Sequence, residues 1–266
     1  MLGAGLMGSA SALFLARAGC SVTLYDRAAA PMGGASRWNE GKIHLGFLYS
    51  ADRSLRTAHE VLLGGLSFKR LIEDLIGAAI DPAVTPEDDI YLVHPDSVVD
   101  AEAMGAYFGR VAELIRDHPH DSYLAPIAPV HTLSAGERER FAHSAIKAGF
   151  RVPERSVNTH WLADRIVDSL AAEPAIELRM RHAVERIDPA DGSWNGPWRV
   201  RSDAGDRDEY DAVINALWEG RLYIDTRLGL AARPAGRTAI AWRCSYGPDR
   251  PWIRRARSSP PDRSAM

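Results

Sequence analysis

Hydrophobic residues recur with helical spacing in four stretches of the chain. In the first stretch, residues 9–18, apolar side chains fall on one helical face, and Gly19 follows as a stop signal. Ser134 and Glu137 have the spacing of a capping box, which predicts an additional short helix. The other three long helices are predicted at 54–75, 101–117 and 159–172.

Shorter runs with alternating or continuous hydrophobicity predict the strands. Residues 21–25 alternate, are rich in β-forming side chains and end on Asp26. Residues 210–216 form a continuous apolar run of the kind that is buried in a parallel sheet. The remaining strands are predicted at 90–93, 145–152, 176–180, 183–187 and 198–201.

A glycine-rich turn stands directly before the first helix and strand. Gly3, Gly5 and Gly8 are followed by Asp26, which lies 18 residues beyond Gly8. In dinucleotide-binding βαβ units the first glycine permits a tight turn, the second admits a pyrophosphate, and the third lets the helix pack closely on the sheet. The acidic residue accepts hydrogen bonds from a ribose, and the helix N-terminus offers free N–H groups to the phosphates.

The turn therefore predicts a dinucleotide site, with Asp26 at the adenosine ribose. The alternative is that the glycines only close a strand-to-helix turn in some other α/β domain. The predicted phosphate-binding residues are Gly3, Gly5, Leu6, Met7 and Gly8.

Both ends of the chain depart from what this motif leads us to expect. Only Met1 and Leu2 precede Gly3, whereas a buried first strand occupies about five or six residues, so we expect a late start or a fragment. Residues 233–266 contain eight arginines, five prolines and no lysine. Because an out-of-frame GC-rich message encodes such a string, we expect a frameshifted or truncated C-terminus; the alternative is a basic tail that binds an acidic surface.

Composition excludes several classes of protein. The 266 residues are 46% hydrophobic and 25% charged, which is typical of a globular chain rather than a disordered one. A net charge of −3 lacks the basic excess of a nucleic-acid-binding protein. Two cysteines provide neither a disulfide framework nor a four-ligand zinc site, and they favour a cytoplasmic location. No apolar run approaches the roughly 20 residues of a membrane-spanning helix.

Two clusters of polar residues are interpreted as having no role in catalysis or metal binding. His118 and His120 flank a proline without nearby cysteine or acidic ligands, so we expect loop residues and no metal site. Residues 87–89 are three consecutive acids, which we expect to form a solvated turn.

The loop that follows the first strand distinguishes between kinds of dinucleotide site. Residues 34–49 are rich in glycine, serine and asparagine and then carry Lys42, His44 and Tyr49. A nicotinamide enzyme usually continues into a simple βα crossover at this point. Small residues instead let the backbone approach a flat ring system, and their N–H groups bond to its polar edge, which favours a flavin.

With this loop, the sequence resembles the D-amino-acid-oxidase-like (DAO) family of flavoproteins. The loop motif is closest to that of the FAD-linked 2-hydroxy-acid dehydrogenases in the family. The resemblance implies an α/β, Rossmann-like FAD-binding domain with a parallel sheet over 1–85 and 150–220. It also implies an incomplete, discontinuous α+β substrate domain over 86–149 and 221–232, with 233–266 as an irregular tail. The motifs that carry the resemblance are the glycine turn, Asp26-Arg27, Ser36-Arg37-x-Asn39-x-Gly41-x-Ile43-His44, 154–157, 183–184 and 213–216.

The resemblance also implies where FAD would bind. The ADP moiety would lie on the three glycines, with Asp26 and Arg27 at the adenosine and the backbone of Val184 at the adenine. The strand end at Ala216 would border the cofactor, but Trp218 stands where the family usually has a glycine. The residues expected between pyrophosphate and isoalloxazine are Ser36, Asn39, Gly41 and Lys42.

Two residues are candidates for catalysis. Lys42 would place a positive charge near the flavin and stabilise its reduced anion; the alternative is a solvated surface lysine. His44 would act as a general base; the alternative is a buried histidine that is hydrogen-bonded to backbone.

The implied function is FAD-dependent oxidation of a CH–NH or CH–OH group of a small amino acid or hydroxy acid, by hydride transfer to the flavin. The substrate would be a small molecule, and the electron acceptor is left open. Two alternatives are retained. One is an NAD-dependent dehydrogenase of the 3-hydroxy-acid type, whose opening motif is similar, and the other is a catalytically inactive fragment of a flavoprotein.

Overall fold

The computed structural model describes residues 1–118, 123–141, 145–205 and 207–230. The Arg/Pro-rich tail at 233–266 and His120 of the histidine pair lie outside these residues. The helices are α1 (Leu6–Arg17), α2 (Arg56–Ile76), α3 (Ala101–Arg116), α4 (Ala135–Glu139), α5 (Thr159–Ala172) and α6 (Arg221–Arg227). The strands are β1 (Val22–Asp26), β2 (Lys42–Ile43), β3 (Asp89–Val93), β4 (His131–Thr132), β5 (Ala148–Val152), β6 (Arg155–Ser156), β7 (Ile176–Met180), β8 (Val184–Pro189), β9 (Trp198–Ser202) and β10 (Arg207–Tyr210).

The four predicted long helices are confirmed. α1 begins at Leu6, three residues before the predicted start, because Gly5 is its N-cap. The predicted capping box is also present. The Ser134 hydroxyl accepts from the Glu137 N–H at 3.3 Å, and a Glu137 oxygen accepts from the Ser134 N–H at 2.8 Å.

A parallel sheet carries the glycine turn. β1 pairs with β7 in parallel, and Leu2 forms parallel bridges to Tyr25 on one side and to Asn215 on the other. The Leu2 N–H donates to Ile214 O at 2.9 Å, and the Ala216 N–H donates to Leu2 O at 2.8 Å. Leu2 is fully buried. The short segment before Gly3 thus takes the place of the central strand, and the α/β fold class with a parallel sheet is confirmed.

The prediction of one buried strand over 210–216 is wrong. Tyr210 ends β10, which pairs antiparallel with β9, and Ile214 is 44% exposed. A chain that leaves an antiparallel sheet has to turn before it can run parallel to Leu2. Only Asn215 of this segment therefore bridges to the parallel sheet.

Antiparallel pairing builds the rest of the structure. One sheet has the order β10-β9-β8, a second has the order β3-β5-β4, and β2 pairs with β6. α3 packs through Phe108, whose ring lies edge-on to Phe47 at 5.3 Å, Phe150 at 5.3 Å and Tyr91 at 5.4 Å between centroids. This aromatic contact joins α3 to the loop that follows β2 and to the sheet behind it.

Among the described residues, no helix is both long and apolar enough to cross a membrane. The same part of the chain contains no group of three or more His, Cys, Asp or Glu side chains arranged to hold a metal ion.

A polar cluster ties the parallel sheet to the β8–β10 sheet. The Tyr25 hydroxyl lies 2.8 Å from the Tyr210 hydroxyl and donates to Asp208 Oδ2 at 3.2 Å. Arg179 donates to the same hydroxyl at 3.0 Å and forms an ion pair with Asp208. Burial raises the pKa of Tyr25 above its ordinary value, so the hydroxyl keeps its proton.

Tyr25→Phe should lower the free energy of unfolding by about 1–2 kcal/mol, because it leaves the polar partners without the shared hydroxyl. Urea denaturation measures this change. Tyr223→Phe is the matched control, since Tyr223 is 51% exposed, and it should leave the free energy of unfolding unchanged. Equal effects of the two substitutions would contradict the role of the cluster.

Candidate functional site

The first and third glycines let α1 approach the end of the sheet. Gly3 has φ +92, and a Cβ there would lie 2.7 Å from Ala216 O. A Cβ at Gly8 would overlap the carbonyl oxygen of Gly3. Neither position has room for a side chain. The two glycines therefore carry out the turn and packing tasks that the sequence predicts.

The N-terminus of α1 presents backbone donors at this turn. Gly5 caps the helix without a side-chain bond, and the Leu6 N–H donates to the Ser36 hydroxyl at 2.9 Å. The N–H groups of Met7 and Gly8 have no acceptor within hydrogen-bond distance among the described residues. Free N–H groups and the positive end of the helix dipole are together the features of a candidate anion site.

Asp26 lies beside this anion site. Its Oδ2 accepts from the Ala4 N–H at 2.7 Å, and its Oδ1 accepts from the Ala28 N–H at 2.8 Å. Each carboxylate oxygen retains a further lone pair for an external donor. The side chain is therefore fixed and still able to accept hydrogen bonds from ribose hydroxyls.

The other predicted adenosine residues lie at or near the same edge. Arg27 forms an ion pair with Glu219 at 2.9 Å, and both side chains are largely exposed. The chain just before Val184 is bonded to the end of β1, since the His182 N–H donates to Asp26 O at 2.9 Å. Sequence reasoning missed Glu219, because 192 residues separate it from Arg27.

Asn39 and Gly41 shape the loop that runs from β1 to β2 past the start of α1. Asn39 Nδ2 donates to Ala35 O at 2.9 Å, and its Oδ1 accepts from the Gly41 N–H at 2.8 Å. Gly41 has φ +67, and a Cβ there would overlap the carbonyl oxygen of Val157. The Thr159 hydroxyl at the start of α5 donates to Arg37 O at 2.7 Å. Residues 35–41 are therefore held by bonds within the loop and by the start of α5.

Lys42 and His44 lie at the far end of this loop, and both face acidic side chains. Lys42 Nζ lies 3.2 Å from Asp89 Oδ2 and 4.6 Å above the ring of Tyr91. His44 Nδ1 lies 3.8 Å from Glu154 Oε2. The expectation of a solvated turn at 87–89 is wrong for Asp88 and Asp89, because only 13% and 22% of their side chains are exposed and Asp89 begins β3.

Glu154 is the main site residue that the sequence-based site assignment omitted. Burial alone would raise the pKa of its carboxyl group, but the His44 imidazole, the Leu45 N–H and the Tyr91 hydroxyl hold the pKa below its ordinary value. Glu154 is therefore an ionised carboxylate inside the protein. The sequence does contain one indication of this residue, because Glu154 stands only two positions after the apolar strand β5.

The structure thus forms two groups of predicted residues, which the loop connects. The first surrounds the N-terminus of α1 and includes Asp26, Ser36 and Ala216. The second contains Lys42 and His44. Anion donors, a ribose acceptor and a closely packed backbone loop in this order fit a dinucleotide with an attached ring system.

A family model described as FAD-dependent oxidoreductase, DAO, matches residues 2–252. The chain belongs to this family. Membership confirms the resemblance that the glycine turn and the loop indicated, and it confirms FAD as the cofactor. No curated protein sequence matches the chain significantly.

Solved structures share the fold of the chain. Glycine oxidase from Geobacillus kaustophilus has a TM-score of 0.62 at 19% identity, over 86% of this chain and 57% of that one. Iminodiacetate oxidase (IdaA) from Chelativorans sp. BNC1 has a TM-score of 0.61 at 22% identity, over 86% and 56%. L-proline dehydrogenase from P. horikoshii has a TM-score of 0.60 at 15% identity, over 87% and 55%. The chain spans a little over half the length of these proteins.

Trp218, the departure from the usual family glycine, has φ +52 and is 58% exposed. A left-handed conformation is unfavourable for a residue with a Cβ.

Trp218→Gly should therefore raise the free energy of unfolding by about 0.5–1 kcal/mol, as measured by urea denaturation. Trp194→Gly is the control, because Trp194 is similarly exposed without a positive φ. If Trp218→Gly destabilises the protein as much as the control does, the strain argument fails.

Proposed function

We propose that the chain forms the FAD site of an oxidoreductase that oxidises a CH–NH or CH–OH group of a small amino acid or hydroxy acid. The observation that carries the proposal is the N-terminus of α1, where the N–H groups of Met7 and Gly8 have no acceptor among the described residues. Family membership supports the redox chemistry. The names of the similar structures supply the substrate class, since glycine, iminodiacetate and L-proline each contain a CH–NH group.

The residues of α1 and β1 would bind the ADP half of FAD. The pyrophosphate would accept hydrogen bonds from Met7 and Gly8, with the Ser36 hydroxyl beside it. Asp26 would accept from the ribose, and the backbone of Val184 would border the adenine. Ser36 donates no bond to protein among the described residues, so its proton is available to a phosphate oxygen.

The loop from Asn39 to His44 would lie along the rest of the cofactor. When bound, the isoalloxazine supplies a hydride acceptor. Lys42 would offer positive charge to it from a position fixed by Asp89 and Tyr91. Because His44 Nδ1 faces Glu154, Nε2 is the atom that would exchange a proton with the substrate.

We also retain the division into an FAD-binding domain over 1–85 and 150–220 and a partial substrate domain over 86–149 and 221–232. Strands β3 and β4 and the first two residues of β5 lie within the second set, whereas the last three residues of β5, 150–152, lie within the first. A cytoplasmic location remains a proposal based on the low cysteine content.

Gly5→Ala should weaken FAD binding about tenfold, a loss of about 1.4 kcal/mol, because a methyl group would occupy the approach of the pyrophosphate. The fold should tolerate it, since the added Cβ meets only the Ser36 hydroxyl at 3.2 Å. Titration of FAD fluorescence measures the affinity, and thermal melting reports on the fold.

Gly109→Ala is the matched control for this prediction, because a Cβ at Gly109 meets nothing within 4 Å. It should leave the FAD affinity unchanged. Wild-type protein that binds NADH and not FAD would overturn the proposal and favour the nicotinamide alternative.

Lys42→Met should make the reduction potential of bound FAD more negative by about 30 mV, which is about 1.4 kcal/mol for a two-electron couple. The reason is the loss of a positive charge that stabilises the reduced anion. Reductive titration against a reference dye measures the potential. Lys69→Met is the control, because Lys69 pairs with Asp81 on another part of the fold, and an equal shift in both variants would contradict a specific role for Lys42.

A further inference from the structure

Glu154 is the only charged residue that is fully buried among the described residues, with 0% of its surface exposed. An ionised carboxylate without water is unfavourable unless it is hydrogen-bonded. Its Oε1 accepts from the Leu45 N–H at 2.6 Å, and its Oε2 accepts from the Tyr91 hydroxyl at 2.8 Å. Its charge is therefore stabilised by one donor from the loop and one from β3, with the His44 imidazole nearby at 3.8 Å.

The backbone of Glu154 is held independently of its side chain. Its N–H donates to Val152 O at 2.7 Å, and its carbonyl accepts from the Asp89 N–H at 3.0 Å. These bonds fix Glu154 to the sheet that contains β3 and β5. Its carboxylate then reaches from that sheet to Leu45, 109 residues earlier in the chain.

The segment that donates to this carboxylate has little regular secondary structure. It comprises residues 42–49, in which β2 is two residues long and Gly46 has φ +115. Side chains from elsewhere hold its carbonyl groups, since the Tyr123 hydroxyl donates to Ile43 O at 3.2 Å and the Tyr107 hydroxyl donates to Gly46 O at 3.0 Å. The N–H of Leu45 lies between these two carbonyl groups in the chain and is bonded to Glu154. Of the three side chains that hold the segment, Tyr107, Tyr123 and Glu154, only Glu154 is ionised.

The neighbouring carboxylates contact side chains rather than the backbone of this segment. Asp89 pairs with Lys42 at 3.2 Å, and Asp88 pairs with Arg155 at 2.8 Å. Both of these pairs are partly exposed, whereas Glu154 is inside. The fully buried carboxylate therefore has a separate role, which is to hold the backbone of the loop.

We propose that Glu154 is a positioning residue, whose carboxylate fixes the conformation of residues 42–49 through the Leu45 N–H and thereby prepares this loop to receive the flavin. The inference rests on the proposed function only for its flavin part. The conformational part concerns the chain alone and is tested without FAD.

The experiment is hydrogen–deuterium exchange of the full chain, read by mass spectrometry in peptides that cover 42–49 and 159–172. Glu154→Gln keeps the size of the side chain and removes its charge. Exchange in 42–49 should become about 10- to 100-fold faster, because the carboxamide loses the charge and places its NH₂ group against one of the two donors that the carboxylate accepts from, with no change in 159–172. Glu137→Gln is the matched control, because Glu137 also accepts several hydrogen bonds but lies at α4, and it should leave both peptides unchanged.

A milder variant keeps the test decisive if Glu154→Gln does not fold. Tyr91→Phe removes one partner of the carboxylate and retains the Leu45 bond. It should accelerate exchange in 42–49 by about 2- to 10-fold, because the Leu45 bond remains and only the support of its carboxylate acceptor is weakened. If the folded variants exchange residues 42–49 at the same rate as the wild-type protein, the proposal is overturned. It is also overturned if exchange in 159–172 accelerates equally, because that would indicate global destabilisation.

FAD affinity separates the two parts of the inference. If wild-type protein binds FAD, Glu154→Gln should weaken binding about 10- to 100-fold and change the visible absorption band of the bound flavin, whereas Glu137→Gln should do neither. Unchanged affinity and spectrum would overturn the flavin part. If wild-type protein does not bind FAD, the proposed function fails, and exchange in 42–49 alone decides whether Glu154 positions the loop.

Discussion

The contact between Gly8 and the carbonyl group of Gly3 is the constraint on which the site depends. Because Gly8 has no Cβ, α1 packs directly on the turn and on Ala216. This brings the start of α1 to the end of the parallel sheet, beside Asp26. Any side chain at position 8 would push the helix away and separate the N–H donors of α1 from the carboxylate.

From this contact the site extends along one loop to a second polar centre. Asn39 and Gly41 shape the loop, and α5 holds it through Thr159. At its far end Lys42 pairs with Asp89, and Leu45 bonds to Glu154. The antiparallel β3–β5–β4 sheet thus fixes the far end of the loop, whereas α1 and α5 hold the part around Ser36 and Arg37.

Local sequence patterns predict the first half of this arrangement well. The glycine turn, α1, β1 and Asp26 follow one another in the chain, so spacing alone places them together. The second half depends on contacts between distant residues, such as Glu154 with Leu45 and Arg27 with Glu219, for which spacing carries no signal. The wrong prediction of one strand over 210–216 also arises from distant contacts. Tyr210 pairs with β9 and Asn215 bridges to Leu2, and the spacing of apolar residues does not reveal these partners.

The central claim is that the N-terminus of α1 binds the pyrophosphate of FAD. Backbone-amide NMR of the chain during titration with FAD tests it most directly, since the N–H groups of Met7 and Gly8 report on bound phosphate. Large, saturable shifts of these two amides, with smaller ones on the exposed face of α3, are the predicted result. Binding of FAD that leaves both amides unshifted would contradict the claim.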